Sequence, residues 1–228
     1  TSPHDSETLL YRKILSGVLD PDKIDYLSRD AYFCGVPYGI QDAEFIMRRL
    51  YVVDGELGVD EKSEMSIEAV LFSKYQMYRA VYWHPTVRSA TAMVKKSILL
   101  GLAHALINSD SLYGLDDASF SKLFLSSNKE EFLPARLAHG GKFYPLIAEI
   151  PFDAANPVHR DLNNLDKRLE AEASLAMAAE VPETTIVVDI PEPISFESNF
   201  KVRTREGWVD FSERSAIFKV PVLAELQT

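Results

Sequence analysis

A mainly helical chain, interrupted by one short β-hairpin and closed by a small α+β region, is the fold class that this sequence predicts. Three observations predict it. Apolar residues recur at helical spacing through most of the chain before about residue 180. Asp54-Gly55, the commonest hairpin-turn chemistry, stands between the short runs Tyr51–Val53 and Leu57–Val59. After about residue 180 the type changes, with strand-like "TTIVVDI" and the hairpin-like "FKVRTREGWVDFS".

The elements follow in order. Leu9, Leu10, Ile14, Leu15 and Val18 mark a first helix over Glu7 to Val18. In "LDPDKIDYLSRDAYFCGV", Asp20 and Pro21 read as an N-cap and first-turn pair, and Gly35 as a left-handed stop. Between them, a turn of about 100° per residue puts Ile24, Leu27 and Ala31 on a core face. Asp22, Tyr26, Arg29, Asp30 and Phe33 fall roughly opposite, and Tyr26 and Phe33 there suit a pocket wall. A third helix is expected from about Asp42, with Phe45, Ile46 and Leu50 inward. After the hairpin, two long helices meet at Pro85, the first with Ser66 as a candidate cap. "LDDASFSKLFL" reads as a short helix, residues 134–145 as loop, and Val158 to Ala179 as helix. "TTIVVDI" reads as a buried strand, and a closing hairpin turns at Glu206-Gly207.

Composition narrows the function classes. With 228 residues, 46% hydrophobic and 25% charged, the chain has ample core and is neither disordered nor fibrous. A net charge of −10 argues against a broad nucleic-acid surface, which needs basic residues. One cysteine, Cys34, rules out an intrachain disulfide and fits a reducing cytoplasm. No apolar run reaches the ~18 residues of a membrane helix, and no signal peptide is evident. The opening residue, Thr1, reads as the start of a processed or excised piece.

Few catalytic signatures stand out. His4-Asp5 looks like a metal-binding doublet, but a terminal polar segment cannot hold a ligand in place. His104 reads as a satisfied core residue, and His139 and His159 as loop residues without partners. Serine-hydrolase, P-loop and dinucleotide motifs are absent. Two stretches carry more. On the acidic helix, ion pairs such as Asp25 with Arg29 would be worth only ~0.3–0.5 kcal/mol each. On "SKYQMYRAVYWHPTV", Lys74, Tyr78 and Tyr82 fall at i, i+4 and i+8, with Arg79 and His84 nearby. A cation beside tyrosines suits an anionic, ring-bearing ligand, but this stretch taken alone favours amphipathic packing with a snorkelling Lys74.

Together, "LDPDKIDYLSRDAYFCGVPYG", "VVDGELGV" and "KYQMYRAVYWHPTVRSATAMV", in that order and spacing, resemble the HD-domain metal-dependent phosphohydrolases. The deoxynucleoside triphosphate triphosphohydrolase branch looks most similar. The resemblance runs clearly from about Leu9 to Asn108 and more weakly over "TTIVVDIP" and the closing hairpin. It implies a portion of an HD-superfamily helical bundle over residues 1–110, then a helical and α+β region over 111–228.

The resemblance also implies roles. Asp22 matches the last metal ligand of the family, Lys23 its phosphate-contacting lysine, and Tyr26 the tyrosine near phosphates and sugar. Asp30 matches the aspartate that recognises the sugar 3′-hydroxyl, and Tyr82 a tyrosine of the nucleoside pocket. Lys74 stands in place of a phosphate-binding arginine, keeping the charge but losing the bidentate fork. Asp22, Tyr26 and Asp30 are one-turn steps along a helix face, spanning ~12 Å. The family's first histidine and His-Asp doublet have no match ahead of Asp22, so the chain resembles the C-terminal portion of such an enzyme.

The expected reaction of the complete protein is hydrolysis of a deoxynucleoside triphosphate to nucleoside and triphosphate. A divalent metal is expected there, with magnesium, manganese, nickel, iron and zinc all fitting. The chain alone is expected to be inactive, cytoplasmic, homo-oligomeric and free of membrane contact. A non-catalytic nucleotide-binding or assembly module, and a phosphohydrolase acting on another phosphate ester, are the alternatives.

Overall fold

A computed structural model of the chain describes residues 6–17, 19–53, 55–153, 155–191 and 200–215. The chain gathers into two compact units. One compact unit is Thr1–Tyr82 with Glu192–Thr228, and the other is Trp83–Pro191. The expected architecture holds: mostly helical, with a hairpin and a small mixed C-terminal region.

The first unit begins with α1 (Ser6–Ser16) and α2 (Pro21–Cys34). The Asp20 carboxylate accepts the Asp22 N–H at 2.8 Å, and Pro21 fills the first turn. Gly35 closes α2 at φ +65°, a conformation easy only for glycine. Ile24, Leu27 and Ala31 are buried, as their spacing predicts. The next loop folds back onto that face. Gly39 has φ +91°, and a Cβ there would stand 2.5 Å from the Leu27 carbonyl oxygen, so only glycine fits.

Asp42 caps α3 (Ala43–Met47), which stops short of Leu50 because Leu50 already pairs in a sheet. The hairpin is β1 (Leu50–Val53) and β2 (Glu56–Asp60), with Val53 opposite Glu56. Asp60 then caps a single 3₁₀ turn, Glu61–Ser63, that runs into α4 (Glu64–Met77). Ser66 therefore lies inside the helix and caps nothing. A π-helical turn, Tyr78–Tyr82, continues from α4.

β3 (Lys201–Thr204) and β4 (Gly207–Asp210) form the second hairpin. Its turn is Arg205-Glu206, one residue earlier than expected, because Gly207 already pairs with Thr204. β3 runs parallel to β2, giving the sheet order β1-β2-β3-β4. Val59 and Val202 are partners in that pairing and both fully buried. Phe211, in α10 (Phe211–Arg214), stacks on Phe200 at 4.4 Å and completes this core.

The second unit contains α5 (Pro85–Ala103), α6 (Asp117–Leu125), α7 (Leu133–His139), α8 (Pro157–Asp161) and α9 (Leu165–Ala178). Pro85 starts α5 with His84 as its cap, so it separates two helices. Phe124 and Phe132 meet edge to face at 5.5 Å in the core. Lys96 and Glu172 form a buried ion pair at 2.6 Å between α5 and α9.

The predicted strand at "TTIVVDI" does not form in the described residues. Glu183–Thr185 is a 3₁₀ turn, and the Val188 N–H donates to the Glu172 carboxylate at 2.8 Å instead of to a ladder. His104 is not core: it caps the C-terminus of α5, exposed, 2.9 Å from Glu131. His139 and His159 are helical, and the His159 Nδ1 accepts the Asp153 N–H at 2.9 Å. His4 and Asp5 lie outside the described residues. Among the described residues no helix is long and apolar enough to cross a membrane.

Candidate functional site

The site grows from two helical segments of the first unit. The capped start of α2 fixes its rotation, so the residues that bury Leu27 turn Tyr26 and Asp30 the other way. The buried side of α4, with Ile67, Val70, Leu71 and Met77, sets the rotation of the second segment. The π-helical turn then carries Tyr82 to α2, and Lys74 lies beside the Tyr78 ring.

Asp30 and Tyr82 meet directly. The Tyr82 hydroxyl donates to Asp30 Oδ2 at 2.7 Å, a short charge-assisted bond in a half-buried setting. Tyr26 lies edge to face with Tyr82, centroids 6.1 Å apart. Tyr78 packs against Tyr82 in the same manner at 5.2 Å, and the Lys74 ammonium lies 5.9 Å from the Tyr78 ring centre. Four of the six residues picked from the sequence, Tyr26, Asp30, Lys74 and Tyr82, thus belong to one connected cluster.

The other two sit at its N-terminal end. The Asp22 carboxylate is exposed, one turn before Tyr26, and acts on that phenol electrostatically. The Lys23 ammonium donates to the Gly17 carbonyl at 2.8 Å. That backbone partner could not be read from the sequence. Phe33, expected on the pocket wall, is 78% exposed, lies edge to face with Tyr32 and borders a separate groove with Asp25, Arg29 and Met47.

Electrostatics fix the protonation of the two phenols. Burial, then Tyr78, Asp22, Asp20 and Asp30, push the Tyr26 phenol up to about 12. Burial, then the bond to Asp30, push Tyr82 higher still. Both stay neutral near pH 7, and the Tyr82 hydroxyl keeps its proton for the bond to Asp30. A carboxylate, neutral phenols, ring faces and an ammonium make a surface suited to a hydroxylated, ring-bearing anion.

Tyr78 was not among the residues picked, although it lay on the Lys74–Tyr82 stripe. Its signal was that spacing, and the π-helical turn that seats it had none. As for a metal, no three His, Cys, Asp or Glu side chains gather to hold one among the described residues. Asp22 alone is no metal centre, so the described donor set does not fit one.

Two grooves bordered by described residues lie apart from this cluster. One follows the Asp25–Tyr32 side of α2, and the other, about 310 Å³, lies over Lys96 and Glu172 in the second unit. The cluster is a shared face of side chains, and its coherence rests on the hydrogen bond and ring contacts.

Comparisons with known proteins agree with this fold. The chain is 33% identical over 161 residues to MJ1154, an uncharacterized protein of Methanocaldococcus jannaschii, covering 68% of this chain and 35% of that one. It is 40% identical over 83 residues to YwfO, an uncharacterized protein of Bacillus subtilis, covering 36% of this chain and 19% of that one. The chain therefore spans about a third or less of these relatives' lengths. Among solved structures, a hypothetical protein from Aquifex aeolicus shares the fold with a TM-score of 0.68 at 24% identity, over 98% of this chain and 56% of that one. A phosphohydrolase from Bacteroides thetaiotaomicron, BT4208, shares it with a TM-score of 0.64 at 19% identity, over 94% and 60%. The model of the HD associated region matches residues 41–227, which include Lys74 and Tyr82. The chain belongs to the HD-associated-region family.

Proposed function

We propose that this chain supplies the substrate-holding face of an HD-type phosphohydrolase, acting on deoxynucleoside triphosphates and releasing nucleoside and triphosphate. The observation that carries the reading is the Tyr82–Asp30 bond at 2.7 Å, set among Tyr26, Tyr78 and Lys74. In this reading the Asp30 carboxylate, oriented by Tyr82, accepts a sugar hydroxyl. Tyr26 and Tyr82 flank the sugar, and Lys74 and Lys23 neutralise phosphate charge. Hydrolysis breaks the bond between the α-phosphorus and the sugar oxygen; water supplies the oxygen to phosphorus and a proton to the nucleoside. Asp22 is proposed as a single metal ligand of the complete protein. The described residues do not fit a metal centre by themselves, and no step is assigned to one. The family match and the fold shared with a phosphohydrolase support the reaction class.

The donor set favours a second reading for the isolated chain, a nucleotide-binding module without turnover. Assay of the complete protein against each dNTP, separating triphosphate from phosphate, tests the main reading. Triphosphate release that Asp30→Ala lowers by about a hundredfold supports it. Nucleotide binding with no turnover in the complete protein supports the module.

A further inference from the structure

We infer that Tyr78 is a positioning residue that couples the phosphate-binding and sugar-binding ends of this site. The inference rests on the proposed nucleotide-holding role. Lys74 lies over the Tyr78 ring at 5.9 Å, Tyr78 meets Tyr82 at 5.2 Å, and Tyr82 bonds Asp30 at 2.7 Å. One unbroken path of contacts therefore runs from an ammonium to a carboxylate, and Tyr78 and Tyr82 are its two inner members. A lysine head on a four-carbon stem has many rotamers. The negative face of an aromatic ring restricts it to those that keep the charge over the ring. An edge-to-face neighbour in turn restricts the rotation of Tyr82 about its own axis. Tyr78 thus bears on both the place of Lys74 and the direction from which Tyr82 reaches Asp30.

The π-helical turn supports this assignment. Tyr78–Tyr82 departs from regular α-helical geometry one turn after Lys74. Such turns are rare and concentrate at functional sites. Tyr78 is also partly exposed, so its ring is no plain core filler.

The test separates ring from bulk. Tyr78→Phe keeps the ring, whereas Tyr78→Leu keeps most of the volume and removes the aromatic face. The purified protein is titrated by calorimetry with inorganic triphosphate and, separately, with deoxyadenosine triphosphate. Wild type, both variants, Lys74→Ala and the Lys74→Ala/Tyr78→Leu double variant are compared. The expected result is Tyr78→Phe within about twofold of wild type and Tyr78→Leu about five- to tenfold weaker for both probes. Lys74→Ala should then cost little more in the Tyr78→Leu background, with unchanged thermal melting. Wild-type binding that Tyr78→Leu leaves unaltered, or losses that simply add with Lys74→Ala, would overturn this inference alone. Wild type binding neither probe would overturn the nucleotide reading and this inference with it.

Discussion

Asp30 and Tyr82 stand 52 positions apart in the chain, yet their side chains share one short hydrogen bond. Removing the donor with Tyr82→Phe leaves the ring and its two edge-to-face neighbours in place. We expect deoxynucleotide affinity to fall about tenfold and stability by about 1.5–3 kcal/mol, measured by titration and urea unfolding. Tyr26 gives a pH prediction. Its folded-state value is raised from 10.0 to about 12, so its contribution is complete below pH 10 and is lost as pH rises toward 12. Tyr26→Phe should flatten the fall in stability over that window, by a modest amount because the phenol is partly exposed. At this scale the sequence was informative where periodicity decides: Asp22, Tyr26 and Asp30 follow one line of α2. It was silent on Lys23, whose partner is a backbone carbonyl that no side-chain pattern encodes.

The elements carry the site by packing on their opposite faces. Leu27 is fully buried, so Leu27→Ala should cost about 2–5 kcal/mol in denaturant unfolding and loosen Tyr26 and Asp30 on the same helix. In the second unit, Lys96 and Glu172 are almost wholly enclosed. Lys96→Met leaves a buried carboxylate without its cation and should cost about 3–5 kcal/mol, whereas the Lys96→Met/Glu172→Gln pair, which keeps an acceptor for the Val188 N–H, should recover most of it. The capped ends of α2 were legible because Asp20, Pro21 and Gly35 each act locally. The unformed strand at "TTIVVDI" was not. Its apolar, β-branched run resembles a buried strand, but the Val188 N–H is satisfied by Glu172, 16 positions earlier. Local pattern cannot reveal which partner a backbone donor finds. The π-helical turn was hidden for the same reason, since "YRAVY" reads as ordinary helix.

At the scale of the whole molecule, the two hairpins were legible singly and their union was not. Each has local turn chemistry, whereas the parallel pairing of β2 with β3 joins segments far apart in the chain. That pairing brings residues near 200 back to the unit that holds Tyr26, Asp30, Lys74 and Tyr82. The chain spans about a third of MJ1154, and among the described residues no metal donor set gathers beside the cluster of Tyr26, Asp30, Lys74 and Tyr82. On the proposed reading, its central role is to hold the substrate. The most direct measurement is product analysis of the complete protein with deoxynucleoside triphosphates, wild type against Asp30→Asn. If the chain holds the substrate, wild type releases nucleoside and triphosphate in equal amounts, and the variant has at least about tenfold lower kcat/KM. Release of single phosphates, or an Asp30→Asn protein as active as wild type, would contradict it.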